Sequence, residues 1–593
     1  MPRPTGLPVV ASTQSVPAPT LVLSSRLDER RQAALVALVG PGSGADRELD
    51  VRATGSALPP PTSYEAVLLD TATDALDPAW LVALLDHVSH GASLVVMVNR
   101  AAPSWPTELA SIAVAAGPLT GQAEWFARLV SPTNPLTRRL GPPRPAGGDA
   151  APELAVLDRL CPLEVGPAGE VLVSVSMAFS DRAVVVAGSL GAGRVVVSGL
   201  GNTAEALAHP DLATILRRSL APPLTWGDRL ATPRTLGLAV VGYGPYGGMG
   251  TYHATAAQVT DGLEFVATCD SNPDRRKAAE HDFPGVRAYT TVDELAADDD
   301  VEVVVVATPP VAHADIALRL LRAGKHVACE KPLCFTVAQA DQLMVTARQH
   351  ERVLTVNQNR RWDPDFLAIR RAVDRGLLGQ LFNVETFVGG FEHPCRAWHS
   401  HTAVSGGAVY DWGSHHLDWA LLLMGGMPAT VVAHGHKRVW HDVTNLDQVR
   451  VHLTWPDGRE AEFLQSDVAA VRRPKFWVQG TAGTMVGWYR PLSVERVEPV
   501  RGHVVERFHH AEAPADLTLA RYESGYGTTE TRLPPSPAQP FAFHANLANH
   551  LLAGEPLAVT PESARRVVAV LEAAQRSCED GGSAVSLRPM DES

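Results

Sequence analysis

The chain has 593 residues, 45% of them hydrophobic and 19% charged, with a formal net charge of −13. That length suggests three to four domains of ordinary globular composition. An acidic balance without a basic run argues against a nucleic-acid partner, and no apolar run reaches the roughly 18 residues that a membrane span needs.

The six cysteines, Cys161, Cys269, Cys329, Cys334, Cys395 and Cys578, are scattered without a CxxC pair. They indicate neither a disulfide framework nor a zinc ribbon. Residues 1–19 are rich in Pro, Ala and Ser, lack the apolar core of a signal peptide, and are expected to be a disordered tail. A reducing, cytoplasmic setting is the expectation.

An α/β rhythm starts at Thr20. Residues 20–23 predict a strand, 27–39 a helix and 65–69 a buried strand. Asp77 caps a further helix with Pro78 at its first position; Leu81, Leu84, Leu85 and Val88 line one face, and Gly91 ends it. Residues 94–98, 182–186 and 194–198 predict strands, and 211–220 a closing helix. The segments SHGASLVVMV (89–98), TNPLTRRL (133–140) and GAGRVVVSGLGN (191–202) resemble the ThuA-like branch of the class I glutamine-amidotransferase-like fold. The resemblance implies a flavodoxin-like, amidotransferase-like α/β domain over residues 20–221. Amidotransferases of this fold carry a nucleophilic cysteine in a turn after a strand. The matching positions here are Val98 and Asn99, and Cys161 lies elsewhere. The domain is therefore expected to be non-catalytic, a scaffold or a shaper of the substrate site.

Residues 222–235 carry Pro, Gly and Thr without periodicity and predict a linker. The stretch that follows, 236–270, runs strand, glycine-rich turn, helix, strand, acid. Glycines let the backbone approach a pyrophosphate, and a helix N-terminus offers free N–H groups to it. Gly242, Gly244 and Gly247 satisfy GxGxxG, but Gly248, Met249 and Gly250 follow, so either Gly247 or Gly250 is the third, packing glycine. Asp270 stands where a carboxylate accepts from ribose hydroxyls. Residues 303–307 predict a central parallel strand ending in Thr308, Pro309 and Pro310, with His313 opening a helix. Residues 325–333, KHVACEKPL, predict a strand running into Glu330, Lys331 and Pro332. Such a doubly wound sheet places ligands at the carboxyl ends of its strands.

GYG…MGxxH, ATPPxxH, AGKHVACEKPL and the later GGAVYDWGSHHLD together resemble the Gfo/Idh/MocA oxidoreductase family over about residues 236–590. The resemblance implies an NAD-binding Rossmann domain (236–357), then an α+β substrate and oligomerisation domain (358–593) built on an open mixed or antiparallel sheet. It implies hydride transfer between NAD(P) and a sugar, disaccharide or polyol. Gly242, Gly244, Tyr246, Gly247, Met249, Gly250, Asp270, Thr308, Pro309, His313, Glu330 and Lys331 are the cofactor-binding candidates. NAD is expected ahead of NADP, because a carboxylate at Asp270 repels a 2′-phosphate; Arg275 and Arg276 lie close by and act against that preference. The family's EKP motif falls on Glu330, Lys331 and Pro332, where an X-Pro bond can be cis.

In the second domain, residues 380–388 alternate as a strand, and hairpins are expected at 456–458 and 481–483. Asp411, His415 and Asp418 are spaced i, i+4, i+7, one face of a helix. Removing a hydroxyl proton while a hydride leaves carbon suits a base of near-neutral pKa, and histidine supplies one. The resemblance maps the family's Asp and His onto Asp411 and His415. The expected roles are His415 as base, Lys331 as electrostatic and relay partner, and Asp411 as orienting carboxylate, with His416 as the rival base. Lys331, Arg361, Trp362, Trp398, Asp411 and His415 are the substrate-contact candidates, Trp362 being open to a core role instead. FEHPCRAWHSH (391–401) matches no trusted zinc spacing, and no metal is expected. Arg396 and His399 in it are further candidates for sugar contacts. Two amphipathic helices close the chain, and His544 is placed at the pocket edge.

The sequence therefore predicts an NAD(P)-dependent dehydrogenase with a fused N-terminal domain, a small-molecule partner, no nucleic-acid or membrane partner, and a homodimer or homotetramer. Two alternatives stay open: glycoside cleavage assisted by transient oxidation, and a ligand-sensing protein that binds dinucleotide without turnover.

Overall fold

The computed structural model describes residues 20–25, 28–39, 49–53, 58–70, 73–99, 105–131, 134–138, 140, 153–177, 180–220, 234–244, 248–395, 397–490, 492–498, 502–508, 514–536 and 538–587. The tail 1–19, most of the linker 222–235, Tyr246, Gly247 and Arg396 lie outside the described residues. The chain divides into two compact units, one from Met1–Arg234 and Asn549–Pro556, the other from Thr235–Ala548 and Leu557–Ser593.

The first unit is built on one sheet. Its strands are β1 (Thr20–Ser24), β2 (Leu49–Ala53), β3 (Ala66–Asp70), β4 (Ser93–Met97), β5 (Ala113–Ala115) and β6 (Ala123–Leu129). β7 (Glu153–Asp158), β8 (Leu163–Val165), β9 (Glu170–Met177), β10 (Ser180–Leu190) and β11 (Gly193–Ser198) complete it. The order is β2-β1-β3-β4-β11-β10-β9-β6-β7, with β5 and β8 off this path. The pairs from β2 to β11 are parallel and those from β11 to β7 antiparallel. β1, β3 and β4 are buried throughout, which explains their near-continuous apolar sequence. Asp77 caps the helix Pro78–Ser89 by accepting from Trp80 N at 2.9 Å, as the sequence predicts. At the carboxyl ends of the strands, Arg31 makes a bidentate pair with Asp70 (2.6 and 2.7 Å). Fully buried Arg218 meets Glu555 of the returning segment at 3.0 Å.

The second unit opens with β12 (Leu236–Val241), β13 (Leu263–Cys269), β14 (Arg287–Tyr289), β15 (Val303–Val306), β16 (His326–Cys329) and β17 (Leu354–Val356). All pair in parallel, in the order β14-β13-β12-β15-β16-β17. The chain reverses its direction of travel between β12 and β15, the switch point at which such sheets hold ligands.

Its second sheet uses β18 (Leu381–Gly389), β19 (Thr430–His436), β20 (Gln448–Thr454), β21 (Glu460–Ser466), β22 (Phe476–Gly480) and β23 (Gly483–Trp488). β24 (Leu492–Glu498) and β25 (Gly502–Phe508) pair separately, and β26 (Asp516–Glu523), β27 (Gly527–Leu533) and β28 (Val585–Ser586) extend the main sheet. The order is β27-β26-β23-β22-β18-β21-β20-β19-β28, mixed because β18 and β21 run parallel. Alternate residues face a core shared with the helices Gly413–Met424 and Pro561–Glu579. The opposite face is polar, with His452 2.9 Å from Glu460 and Arg450 3.7 Å from Glu462. No helix among the described residues is long and apolar enough to cross a membrane.

Candidate active site

A cleft of about 580 Å³ lies where β12, β13, β15 and β16 end, within the range of small-ligand sites. One end is the glycine loop. Gly242 takes φ +100°, and a side chain there would sit 2.7 Å from the Ala307 carbonyl oxygen. A Cβ on Gly250 would stand 2.8 Å from Gly242 O and 2.9 Å from Tyr243 Cα. Gly250, in the first turn of the helix Met249–Val259, is therefore the packing glycine. Gly248 caps that helix in the left-handed region, and among the described residues no side-chain cap bond is made at its N-terminus.

Asp270 follows β13. Its carboxylate accepts from Tyr243 N and Asn272 N, both at 2.9 Å. The Arg275 guanidinium lies 3.6 Å from Asp270 and over Gly244, whereas Arg276 donates to the Asp270 backbone carbonyl at 2.6 Å. Thr308 lines the cleft, and its buried hydroxyl has no hydrogen-bond partner among the described residues. A helix N-terminus, a Cβ-free cradle, an acid after the second strand and an orphaned hydroxyl fit a dinucleotide.

At the other end, Lys331 Nζ donates to Asp411 Oδ1 at 2.9 Å and to the Asp411 carbonyl at 3.2 Å. Burial pushes the Asp411 carboxyl up, but the charge and hydrogen bond of Lys331, with His399 and Arg360, hold it below its ordinary value. His415 lines the same cleft, and its Nδ1 has no partner among the described residues. Burial and the charges of Lys331 and Arg360 push its pKa well below the ordinary value, so the ring is neutral at neutral pH. The Trp398 ring stacks on His399 at 3.6 Å, and both line the cleft. The Lys331–Pro332 peptide is cis.

Gly242, Gly244, Met249, Gly250, Asp270, Thr308, Pro309, Glu330, Lys331, Trp398, Asp411 and His415 thus share one cleft, all in the second unit. Tyr246 and Gly247 lie outside the described residues. Other expectations require correction. His313 does not line the cleft; it is fully buried, with its two ring nitrogens 2.7 Å from the Pro332 and Thr308 carbonyls, and so ties two strand ends together. Arg361 is held by Asp418 (2.8 and 2.6 Å) and the Ala558 carbonyl, and Trp362 packs on the Rossmann core. Asp411 and Asp418 do not act together: Asp411 pairs with Lys331 in the cleft, whereas Asp418 is tied up by Arg361. His416 sits in the core between Trp419 and Phe463. His544 is fully buried behind the cleft.

Arg360, rather than Arg361, lines the cleft, lying over the Trp412 ring at 4.9 Å. The sequence signal for it is the Arg-Arg pair itself, which offers one arginine to each side of the turn Asn359–Trp362.

Comparison with known proteins bears on the second unit. The oxidoreductase-family NAD-binding Rossmann fold of Gfo/Idh/MocA matches residues 236–358, and the Gfo/Idh/MocA C-terminal domain matches 366–486. An uncharacterized oxidoreductase of Schizosaccharomyces pombe is 40% identical over 211 residues, 34% of this chain; the match spans 57% of that relative's length. The scyllo-inositol 2-dehydrogenase (NADP(+)) IolW of Bacillus subtilis is 26% identical over 356 residues, 58% of this chain and 94% of its own length. An NAD-binding protein from Listeria innocua has a solved structure that aligns with a TM-score of 0.51 at 28% identity, covering 60% of this chain and 97% of that one.

Proposed function

Because residues 236–358 and 366–486 carry the paired domains of the Gfo/Idh/MocA oxidoreductase family, we propose that the second unit is an NAD(P)-dependent oxidoreductase acting on a hydroxyl of a sugar, disaccharide or polyol. The observation that carries the reading is the Lys331–Asp411 pair at 2.9 Å, in one cleft with His415 and the glycine cradle. The polyol named for IolW supports the substrate class.

The nicotinamide ring, when bound, supplies the hydride acceptor or donor. The chain supplies the rest. Lys331 presents an ammonium, steered by Asp411, to the reacting oxygen and stabilises alkoxide character there. Neutral His415 takes the hydroxyl proton. The charge that makes this imidazole a weak base also makes the hydroxyl a stronger acid, so the two effects offset. Trp398 and His399 offer a flat face to a ring, and Arg360 a further donor. For the cofactor, Asp270 favours NAD, while Arg275 beside it suits a 2′-phosphate; NAD is the preferred reading. The first unit is read as a ThuA-like, non-catalytic module. Its strand end carries Val98 and Asn99, and burial raises the Cys161 thiol to about 11, leaving it un-ionised. The active protein is read as a cytoplasmic homodimer or homotetramer.

Lys331→Ala and His415→Ala test the assignment. Each is expected to lower turnover at least about a hundredfold while binding the dinucleotide as the parent does. Full turnover in both contradicts the site.

A further inference from the structure

Behind the cleft lies a chain of three titratable side chains that the chemistry above does not use. Glu330 follows β16 and lines the cleft beside Lys331. Its Oε1 accepts from Asn357 Nδ2 at 2.7 Å and sits 2.9 Å from His253 Nε2; its Oε2 accepts from the Lys331 amide at 3.1 Å. His253 Nδ1 is 2.8 Å from His544 Nε2. Both imidazoles are fully buried, and Tyr252, Phe541 and Phe543 pack around the His544 ring.

The proton positions follow from what each end can accept. Glu330 as a carboxylate only accepts, so His253 Nε2 carries a proton. His544 is pushed well below its ordinary pKa by burial and is neutral. Its Nδ1 has no partner among the described residues, and a buried N–H is the costlier group to leave unpaired. The His544 proton therefore sits on Nε2 and points at His253 Nδ1. Every link then donates toward Glu330. Burial raises the Glu330 carboxyl, yet the His253 and Asn357 hydrogen bonds and the charge of Lys331 prevail and hold it below its ordinary value. A buried, ionised carboxylate with its acceptor positions fixed is a preorganised field at the wall of the cleft.

We infer that Glu330, locked by the positioning residues His253 and His544, is a fixed negative charge that makes the protein favour the oxidised, positively charged nicotinamide over the reduced, neutral one. The inference rests on the oxidoreductase reading above. A unit charge within a few ångströms of a cationic ring, in a site drier than water, is worth on the order of tenfold or more in relative affinity.

The test is a fluorescence or calorimetric titration of the full chain with NAD⁺ and NADH, and with NADP⁺ and NADPH. The readout is the ratio of the dissociation constants of the reduced and oxidised forms. Glu330→Gln is expected to lower that ratio at least about tenfold. His253→Phe should lower it in the same direction, and His253→Gln, which keeps a donor toward Glu330, should restore it. A general loss of fold weakens both forms together and leaves the ratio unchanged, so a constant ratio in Glu330→Gln and His253→Phe overturns the inference. Failure of the parent protein to bind either form would instead overturn the oxidoreductase reading itself.

Discussion

Arg360 and Arg361 are neighbours in sequence and opposites in role. Arg361 is closed off by Asp418 in a buried bidentate pair, and Arg360 faces the cleft over Trp412. Its charge is one of the causes, after burial and Lys331, that lower the His415 pKa. Removing it raises that pKa, and a base works only when deprotonated. Arg360→Ala should therefore move the acid limb of the kcat/KM profile to higher pH, which a rate series over pH 5 to 9 will show; an unmoved limb contradicts either the base or its neighbour. Asp158 in the first unit carries a separate pH dependence. Burial lifts its carboxyl to about 6 from an ordinary 3.8, against the amides of Gly201 and Asn202 that donate to it at 2.6 and 3.2 Å. Because the folded value is raised, its contribution to stability is present below about pH 4 and is lost as pH rises through about 6. Asp158→Asn should remove that loss. The variant gains stability over the parent at pH 8, by at most about 3 kcal/mol, and none at pH 4, as read from urea unfolding at the two pH values.

At the scale of elements, the glycine loop gives the sharpest contrast. Gly250→Ala places a methyl against the Gly242 carbonyl and Tyr243 and should weaken dinucleotide binding at least about tenfold. Gly248, at φ +60° with open space around its Cβ position, should accept Asn with binding nearly intact. Equal binding in both variants would contradict the cradle. The strand–loop–helix–strand unit and its acid were legible because their chemistry is local. The identity of the packing glycine was not, since three extra residues before the helix leave two choices that only backbone contacts separate. Asp411, His415 and Asp418 were grouped by an unbroken helical period. An arginine 57 residues distant from Asp418 takes that carboxylate out of the group, and it is not visible in spacing. His544 likewise has its partner, His253, 291 residues away, so its burial could not be read from its own segment.

Across the whole molecule, the two units have separate cores, and every residue lining the cleft belongs to the second. The assignment of one segment, Asn549–Pro556, to the first unit was beyond sequence reading, because Glu555 in it reaches Arg218 more than three hundred residues earlier. The central claim is that the second unit transfers a hydride. It is tested most directly by absorbance at 340 nm, with the purified full chain, NAD or NADP, and a panel of sugars, disaccharides and polyols. Growth of the reduced-nicotinamide band with one of them, lost in Lys331→Ala, is the predicted result. Tight dinucleotide binding with a flat trace across the panel contradicts hydride transfer to free cofactor; release of a cleaved sugar in the same tube would assign the cleft to redox-assisted glycoside cleavage.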